Sequence, residues 1–186
     1  MIIGLTGRIA SGKGVVSDFF KEKGFEYLSL SQEVREEAKK RGILIERKNL
    51  QDLGNLMRKE ESSGALAKRI IKKINKNKNY IIDGIRNTGE IQELKKQFKD
   101  DFYLISLDAD LKMRWRNTQN RGKESDPKTY EEFLKADKRD FEENLENGQQ
   151  VKKCMELADY SLLNNSTIEE LNKKIEKIYE EIKDKR

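Results

Sequence analysis

Five short apolar segments, separated by longer stretches with helical periodicity, constrain the fold of this chain more than any other feature. In the stretches between them, apolar residues recur three and four positions apart, which is the spacing of one face of a helix. Strands that alternate with helices in this way are typical of a parallel sheet covered by helices on both faces. The five segments are residues 2–6, 25–30, 80–85, 102–107 and 160–163. We therefore predict an α/β fold with a five-stranded parallel sheet.

The length of 186 residues suits one well-packed domain, so we predict a single domain over residues 1–186. Two stretches are longer than the connections of such a sheet require. Residues 31–76 hold several helical segments between the second and third strands, and residues 110–145 hold more before the fifth. They are either packing helices or mobile parts of a site, and length alone does not decide between these roles.

Composition excludes several kinds of site. The chain has no histidine and one cysteine, Cys154, so it cannot form an internal disulfide, the usual zinc sites or a Ser-His or Cys-His nucleophile. Any metal should be a hard cation bound by oxygen atoms. The formal net charge of +5 arises from interleaved acids and bases along amphipathic stretches. This interleaving favours solvated helix faces over specific nucleic-acid binding.

Neither a membrane span nor a signal peptide is expected. No apolar run approaches the roughly 20 residues that cross a bilayer, and the residues after Met1 resemble a strand rather than a signal peptide. A lone thiol fits a reducing compartment. We expect a cytoplasmic protein, and its state as a monomer or homodimer stays open.

A glycine-rich segment between the first predicted strand and the first predicted helix carries the chemistry. Glycines at both ends let the backbone curl so that its N–H groups point at phosphate oxygens, and the N-terminus of the helix adds positive charge. This pattern predicts binding of ATP, with the lysine reaching its β- and γ-phosphates. The expected nucleotide-binding residues are Gly7, Arg8, Ile9, Ala10, Ser11, Gly12, Lys13, Gly14 and Val15.

The same pattern usually has Ser or Thr after the lysine as a Mg²⁺ ligand, whereas this chain has Gly14. The metal must then depend on other groups. Asp83 ends an apolar run, so it should lie at the carboxyl end of a central strand beside the glycine-rich segment. We predict that Asp83 holds Mg²⁺ directly or through water. The alternative is that Asp83 caps the next helix.

Several segments resemble P-loop kinases that act on small molecules. Residues 4–13 resemble the opening of dephospho-CoA kinases, and residues 12–14 resemble the loop of adenylate kinases. Residues 31–38 look like the segment of nucleoside monophosphate kinases whose arginine grips the acceptor phosphate, which would be Arg35. The sequence Asp-Gly-Ile-Arg that ends at Arg86 resembles the Asp-Gly-Phe-Pro-Arg stretch of those kinases, one residue shorter. The resemblance thus implies that Arg86 also lies near the acceptor phosphate.

Over nearly its whole length the chain is similar to a family of P-loop kinase relatives common in archaea. The similar stretches include Arg58, which we count among the substrate-binding residues. In such a kinase, residues 31–76 would be an acceptor-binding arm and residues 110–145 a lid. The basic residues of the lid region are Arg114, Arg116, Arg121, Lys123 and Arg139.

Two of these lid residues, Arg121 and Arg139, resemble the arginines that close on the transferring phosphoryl group. For each of them, a surface ion pair is the alternative. Asn165 follows the last strand, where related kinases contact adenine, and it is equally well placed to cap the final helix. The resemblance therefore implies Lys13, Arg86, Arg121 and Arg139 as the catalytic residues.

One departure bears on the acceptor. Monophosphate kinases tend to have an acid at the position of Gln32, and dephospho-CoA kinases have an aspartate near the end of the second strand; this chain has neither. A phosphate acceptor needs no general base, because its oxygen is already nucleophilic. We therefore predict phosphoryl transfer from ATP·Mg²⁺ to a small phosphate-bearing acceptor, such as a nucleoside or deoxynucleoside monophosphate. The alternatives are a dephospho-CoA kinase and a nucleotide-dependent switch or ATPase.

Overall fold

A parallel sheet with strand order β2-β3-β1-β4-β5 lies at the centre of the computed structural model, which describes residues 1–122, 125–142 and 145–185. Every neighbouring pair in this order is parallel, so the predicted fold class is confirmed. The third strand is shorter than predicted and ends at Asp83, because Gly84 has a φ of 86° and turns the chain away. The strands are β1 (Ile2–Gly7), β2 (Glu26–Ser29), β3 (Tyr80–Asp83), β4 (Phe102–Asp108) and β5 (Tyr160–Leu163).

Helices connect the strands and cover both faces of the sheet. On one face, α1 and α9 pack over residues such as Phe20 and Ile175; on the other, α2 to α5 and α8 pack around residues such as Met57 and Leu104. The helices are α1 (Lys13–Glu22), α2 (Leu30–Lys40), α3 (Arg47–Glu60), α4 (Ala65–Ile71), α5 (Thr88–Phe98), α6 (Leu111–Arg121), α7 (Tyr130–Glu142), α8 (Val151–Glu156) and α9 (Ile168–Asp184).

The last helix carries an apolar stripe of residues three and four positions apart, and all of its members except the first are buried. Leu171, Ile175, Ile178 and Ile182 lie in the core, whereas Ile168 is 59% exposed. Ile168 is the first residue of α9. Within the described part of the chain, no helix is both long and apolar enough to span a bilayer.

The strand order brings the loops of interest to one edge. β1 lies between β3 and β4, so the segments that follow these three strands emerge side by side at the carboxyl ends of the strands. Helices α2 to α4 flank this edge on the β3 side. Helices α6 and α7 lie across it, and Phe133 of α7 packs against Ile9 and Ala10 of the glycine-rich segment.

Candidate phosphate and acceptor site

The loop after β1 has a backbone that requires glycine at two positions. Gly7 and Gly12 have φ angles of 134° and 107°. A Cβ atom on Gly7 would lie 2.0 Å from the carbonyl oxygen of Leu107, and one on Gly12 would lie 2.4 Å from Nδ2 of Asn164. Because neither position accepts a side chain without strain, the curled path of the loop depends on both glycines.

Lys13 begins α1 and folds back over this loop. Its Nζ donates to the carbonyl oxygens of Gly7, at 2.9 Å, and Arg8, at 2.7 Å. Burial lowers the pKa of Lys13 from 10.5 to about 8, while the charge of Asp83 opposes that shift and the charges of Arg86 and Arg121 add to it. The loop, the end of β3 and the lid region therefore meet around one ammonium group.

Asp83 lies at the end of β3, opposite Leu5 of β1. Its Oδ2 accepts a hydrogen bond from the hydroxyl of Tyr27 at 3.3 Å, and its Oδ1 is buried without a hydrogen-bond partner among the described residues. Burial, followed by the charge of Asp83, raises the pKa of Tyr27 to about 12, so this hydroxyl stays a donor. An unpaired buried carboxylate oxygen fits a site for a hard cation.

The capping alternative for Asp83 is wrong. Asn87 caps α5, since its side chain accepts from the N–H of Gly89 and Glu90 completes a capping box. Among the described residues, no group of three or more acidic, Cys or His side chains is arranged so that it could hold a metal ion. A cation at Asp83 would therefore have this carboxylate, phosphate oxygens and water as its ligands.

Glu90 also organises the loop that carries Arg86. This carboxylate is fully buried and accepts from the N–H of Arg86 at 2.8 Å and from the N–H of Asn87 at 3.0 Å. Arg58, which is also buried, neutralises it with an Nε to Oε1 distance of 2.9 Å. Arg58 thus fixes the loop after β3 as well as lining the neighbouring cavity. The Asn-x-x-Glu spacing was the sequence signal for this arrangement.

A cavity of about 30 Å³ lies between the acceptor arm and the loop after β3. It brings together the three arginines that the sequence assigned to the acceptor, and it adds Arg47 and Gln51, which sequence reasoning missed. Arg47 and Gln51 are four residues apart and so share one face of α3. The polar residues of the wall include Arg35, Arg47, Gln51, Arg58, Arg86 and Gln149.

The described part of the predicted lid region (residues 110–145) contacts the glycine-rich segment of residues 7–14, called the phosphate loop below, and the predicted acceptor arm (residues 31–76). Asp137 of α7 is buried and accepts a hydrogen bond from Arg8 of the loop. It also accepts one from Nη1 of Arg114 of α6, at a distance of 2.6 Å. The ring of Phe141 stacks on Arg8, with 3.9 Å from Cζ to the ring centre. Arg35 of the arm donates to Oγ of Ser125 at 2.6 Å. These contacts therefore join the predicted lid region to the glycine-rich loop and to the predicted arm.

Both predicted lid arginines are held in ion pairs. Arg121 forms a two-pronged pair with Asp126 at 2.7 and 2.6 Å, and Arg139 reaches Asp52 of α3 at 2.7 Å. Lys123 lies outside the described residues. The charge of Arg121 thus acts on Lys13, and Arg139 connects the lid region to the arm.

Asn165 does not cap the last helix. That position belongs to Thr167, whose hydroxyl accepts from the N–H of Glu170 at 3.3 Å. Asn165 instead accepts from the N–H of Asp110 at 2.8 Å, which ties the loop after β5 to the start of α6. It lies next to Asn164, whose Nδ2 donates to the carbonyl oxygen of Ser11 at 3.1 Å.

Solved structures that are similar to this fold include kinases. A family model described as an AAA domain matches residues 6–134. Shikimate kinase from Aquifex aeolicus has a TM-score of 0.55 at 18% identity, with 97% of this chain and 96% of that chain covered. A gluconokinase from Sinorhizobium meliloti has a TM-score of 0.54 at 9% identity, with coverage of 93% and 87%. At these identities the likeness shows the fold, and it confirms the predicted relation to P-loop kinases.

Sequence similarity is much higher to archaeal proteins. A UPF0200 protein of Pyrococcus horikoshii is 37% identical over 187 aligned positions, which cover 98% of this chain and 97% of that protein. Such identity over almost the full length of both proteins shows common descent. The chain therefore belongs to the UPF0200 family, with the fold of a P-loop kinase.

Proposed function

We propose that this protein transfers the γ-phosphoryl group of ATP to a small phosphate-bearing acceptor, a nucleoside or deoxynucleoside monophosphate. The observation that carries the proposal is the arginine-lined cavity beside the phosphate loop. Two places suited to anions, one centred on Lys13 and the other on Arg35 and Arg86, lie at one edge of the sheet. A protein that only binds ATP would not require the second of these anion-binding places.

In this proposal each group has one task. The loop N–H groups and Lys13 hold the β- and γ-phosphates, and Asp83 holds Mg²⁺, which neutralises charge on the phosphate oxygens. Arg35 and Arg86 hold the acceptor phosphate. One of its oxygens bonds to the γ-phosphorus as the bond to the β–γ bridging oxygen breaks, so ADP leaves with the electron pair. Positioning and charge neutralisation then account for most of the catalysis.

Arg121 and Arg139 complete the site in the proposal. Their present partners are Asp126, whose side chain is 8% exposed, and Asp52, whose side chain is 52% exposed. An exposed ion pair such as that between Arg139 and Asp52 contributes about 0–1 kcal/mol, so a phosphoryl group can compete for this guanidinium. We propose that both arginines turn toward the transferring group when the substrates bind.

A second candidate is transfer to a hydroxyl acceptor such as the ribose of dephospho-CoA. The observation that favours it is the buried Oδ1 of Asp83, which lacks a partner among the described residues and would be able to accept a proton from a hydroxyl. The structural neighbours described as shikimate kinase and gluconokinase agree with a hydroxyl acceptor. A nucleotide-dependent switch is the third reading, and it gives no role to the cavity.

Acceptor-stimulated ADP formation separates these candidates. Wild-type protein is supplied with ATP and Mg²⁺, and then with nucleoside and deoxynucleoside monophosphates, dephospho-CoA, shikimate or gluconate, with Lys13→Ala as the blank. The proposal expects stimulation by one or more monophosphates and formation of the matching diphosphate. Stimulation by a hydroxyl compound alone would support the second candidate, and none at all would support the switch.

Replacing Arg35 or Arg86 with Lys should raise KM for the acceptor and leave ATP affinity unchanged. Lysine keeps the charge but loses the paired N–H groups that fit a phosphate, at a cost of about 1.5–3 kcal/mol for a charged hydrogen bond. Steady-state kinetics with each substrate varied in turn measure the effect. Arg41→Lys on the outer side of the arm, where Arg41 pairs with Glu37 and Glu60, is the matched control. Unchanged kinetics in both site variants would reject the acceptor assignment.

Asp83→Asn should shift the Mg²⁺ dependence of activity to higher concentration more than it weakens nucleotide binding. Gly14 offers no hydroxyl ligand, so the loss of one carboxylate leaves the metal with few protein contacts. Titration of Mg²⁺ against activity at saturating ATP measures the shift. Tyr27→Phe, which removes the hydrogen bond to Asp83 but keeps the carboxylate, should move the titration much less. A superimposable titration for Asp83→Asn would remove this residue from the metal site.

Affinity for ATP should fall as the pH rises above about 8. Because burial lowers the pKa of Lys13 to about 8, Lys13 of the free protein loses its proton above this pH. When phosphates are bound, their negative charge keeps Lys13 protonated. Binding then takes up a proton, and log Kd should rise with a slope approaching about one per pH unit. Calorimetric titrations between pH 7.5 and 9.5 measure the slope. In Lys13→Gln the affinity should be weak and nearly independent of pH, and an equal slope in that variant would assign the proton elsewhere.

A further inference from the structure

A carboxylate of the lid lies among the cationic side chains of the acceptor cavity. Asp140 of α7 is 3% exposed, and its Oδ1 accepts from Nε2 of Gln51 at 2.5 Å. Its Oδ2 accepts from Nη2 of Arg47 and lies 3.9 Å from Nε of Arg86. Three side chains of the arm and the β3 loop therefore surround a single anion contributed by α7.

The donors exceed what this carboxylate can satisfy. Arg47 and Arg86 share one negative charge, and Nε of Arg47 is buried without a hydrogen-bond partner among the residues the structure describes. Burial also lowers the pKa of Arg47 below its ordinary value, which means that its charged form is under-compensated. An unpaired buried donor on a cation is costly, and a larger anion would remove that cost.

We propose that Arg47, Gln51 and Arg86 form an anion subsite that Asp140 occupies in the free protein, and that a phosphate group of the acceptor displaces this carboxylate. The inference rests on the proposed function, and it adds Arg47 and Gln51 as acceptor-binding residues. It also makes Asp140 an internal competitor of the acceptor.

The chemistry of the subsite favours a phosphate over a carboxylate. A phosphate monoester offers three terminal oxygens and up to two negative charges, whereas Asp140 offers two oxygens and one charge. The extra oxygen can accept from the unpaired Nε of Arg47, and the extra charge balances the second guanidinium. A cavity of about 30 Å³ has room for water but not for a nucleoside, so α7 must move away from α3 when an acceptor enters.

The single tryptophan of the chain reports this movement. Trp115 of α6 contacts Tyr130 and Phe133 of α7, with ring centres 5.6 and 5.5 Å apart. Its fluorescence is followed while inorganic phosphate is added at constant ionic strength. The protein is first saturated with Mg²⁺ and a non-hydrolysable ATP analogue, so that the phosphate loop is already filled.

Removal of the competitor and removal of the subsite should have opposite effects. Asp140→Asn should bind phosphate about tenfold more tightly, which corresponds to about 1.4 kcal/mol, and Arg47→Gln should bind it at least about tenfold more weakly. Glu131→Gln on the exposed side of α7 removes one negative charge and is the control for Asp140→Asn. Arg41→Gln on the outer side of the arm removes one positive charge and is the control for Arg47→Gln. Both controls should stay within about twofold of wild type.

Asp140→Ala is a second variant without the charge, and Gln51→Ala should weaken phosphate binding by removing one donor. Thermal unfolding by circular dichroism identifies the variants that fold. The inference is overturned if neither Asp140 variant tightens phosphate binding, or if Arg47→Gln and Gln51→Ala leave it unchanged. Phosphate binding needs no turnover, so the two proposals can fail separately. If the variants change phosphate binding as expected but the protein phosphorylates no monophosphate, only the proposed function is rejected. Transfer to a monophosphate without this pattern would reject the subsite alone.

Discussion

The buried pair between Arg58 and Glu90 supports the arrangement of the arginine-lined cavity. Glu90 compensates the charge of Arg58 and holds the backbone N–H groups of Arg86 and Asn87, so one carboxylate joins α3, α5 and the loop after β3. Both side chains are almost fully removed from water. Breaking such a pair leaves an uncompensated buried charge, which costs about 3–5 kcal/mol. The direction of Arg86 therefore depends on a contact between two residues that are 32 positions apart in sequence.

Helix α7 links the two halves of the site through residues on one face. Asp137 and Asp140 are three positions apart, so they point the same way from the helix. Asp137 meets Arg8 of the phosphate loop and Arg114 of α6, while Asp140 meets Arg47 and Gln51 of the arm. A shift of this one helix would change the charges around both sites together. Under the proposed function, ordinary ion pairs would then couple movement of α7 to binding of an acceptor.

The local parts of the fold were predictable because they depend on neighbours in sequence. Apolar runs predicted all five strands. The ends of β1, β2 and β4 differ from the prediction by one residue, and β3 ends two residues earlier than predicted, where Gly84 turns the chain. The glycine-rich loop was recognisable because its curled backbone needs Gly7 and Gly12. By contrast, Ile168 has the same spacing as its buried neighbours and is nevertheless exposed, which periodicity alone does not reveal.

The sequence by itself determined the order of strands and helices along the chain, the phosphate loop, and the candidates Lys13 and Asp83. Each of these depends on residues within a few positions of one another. Only the tertiary structure decided which charged residues share a site. Arg47, Gln51 and Asp140 resemble solvated helix faces in sequence, and their contact joins elements about 90 residues apart. The physical reason is that the charge of a side chain is local, whereas its burial and its partner are set by the packing of the whole chain.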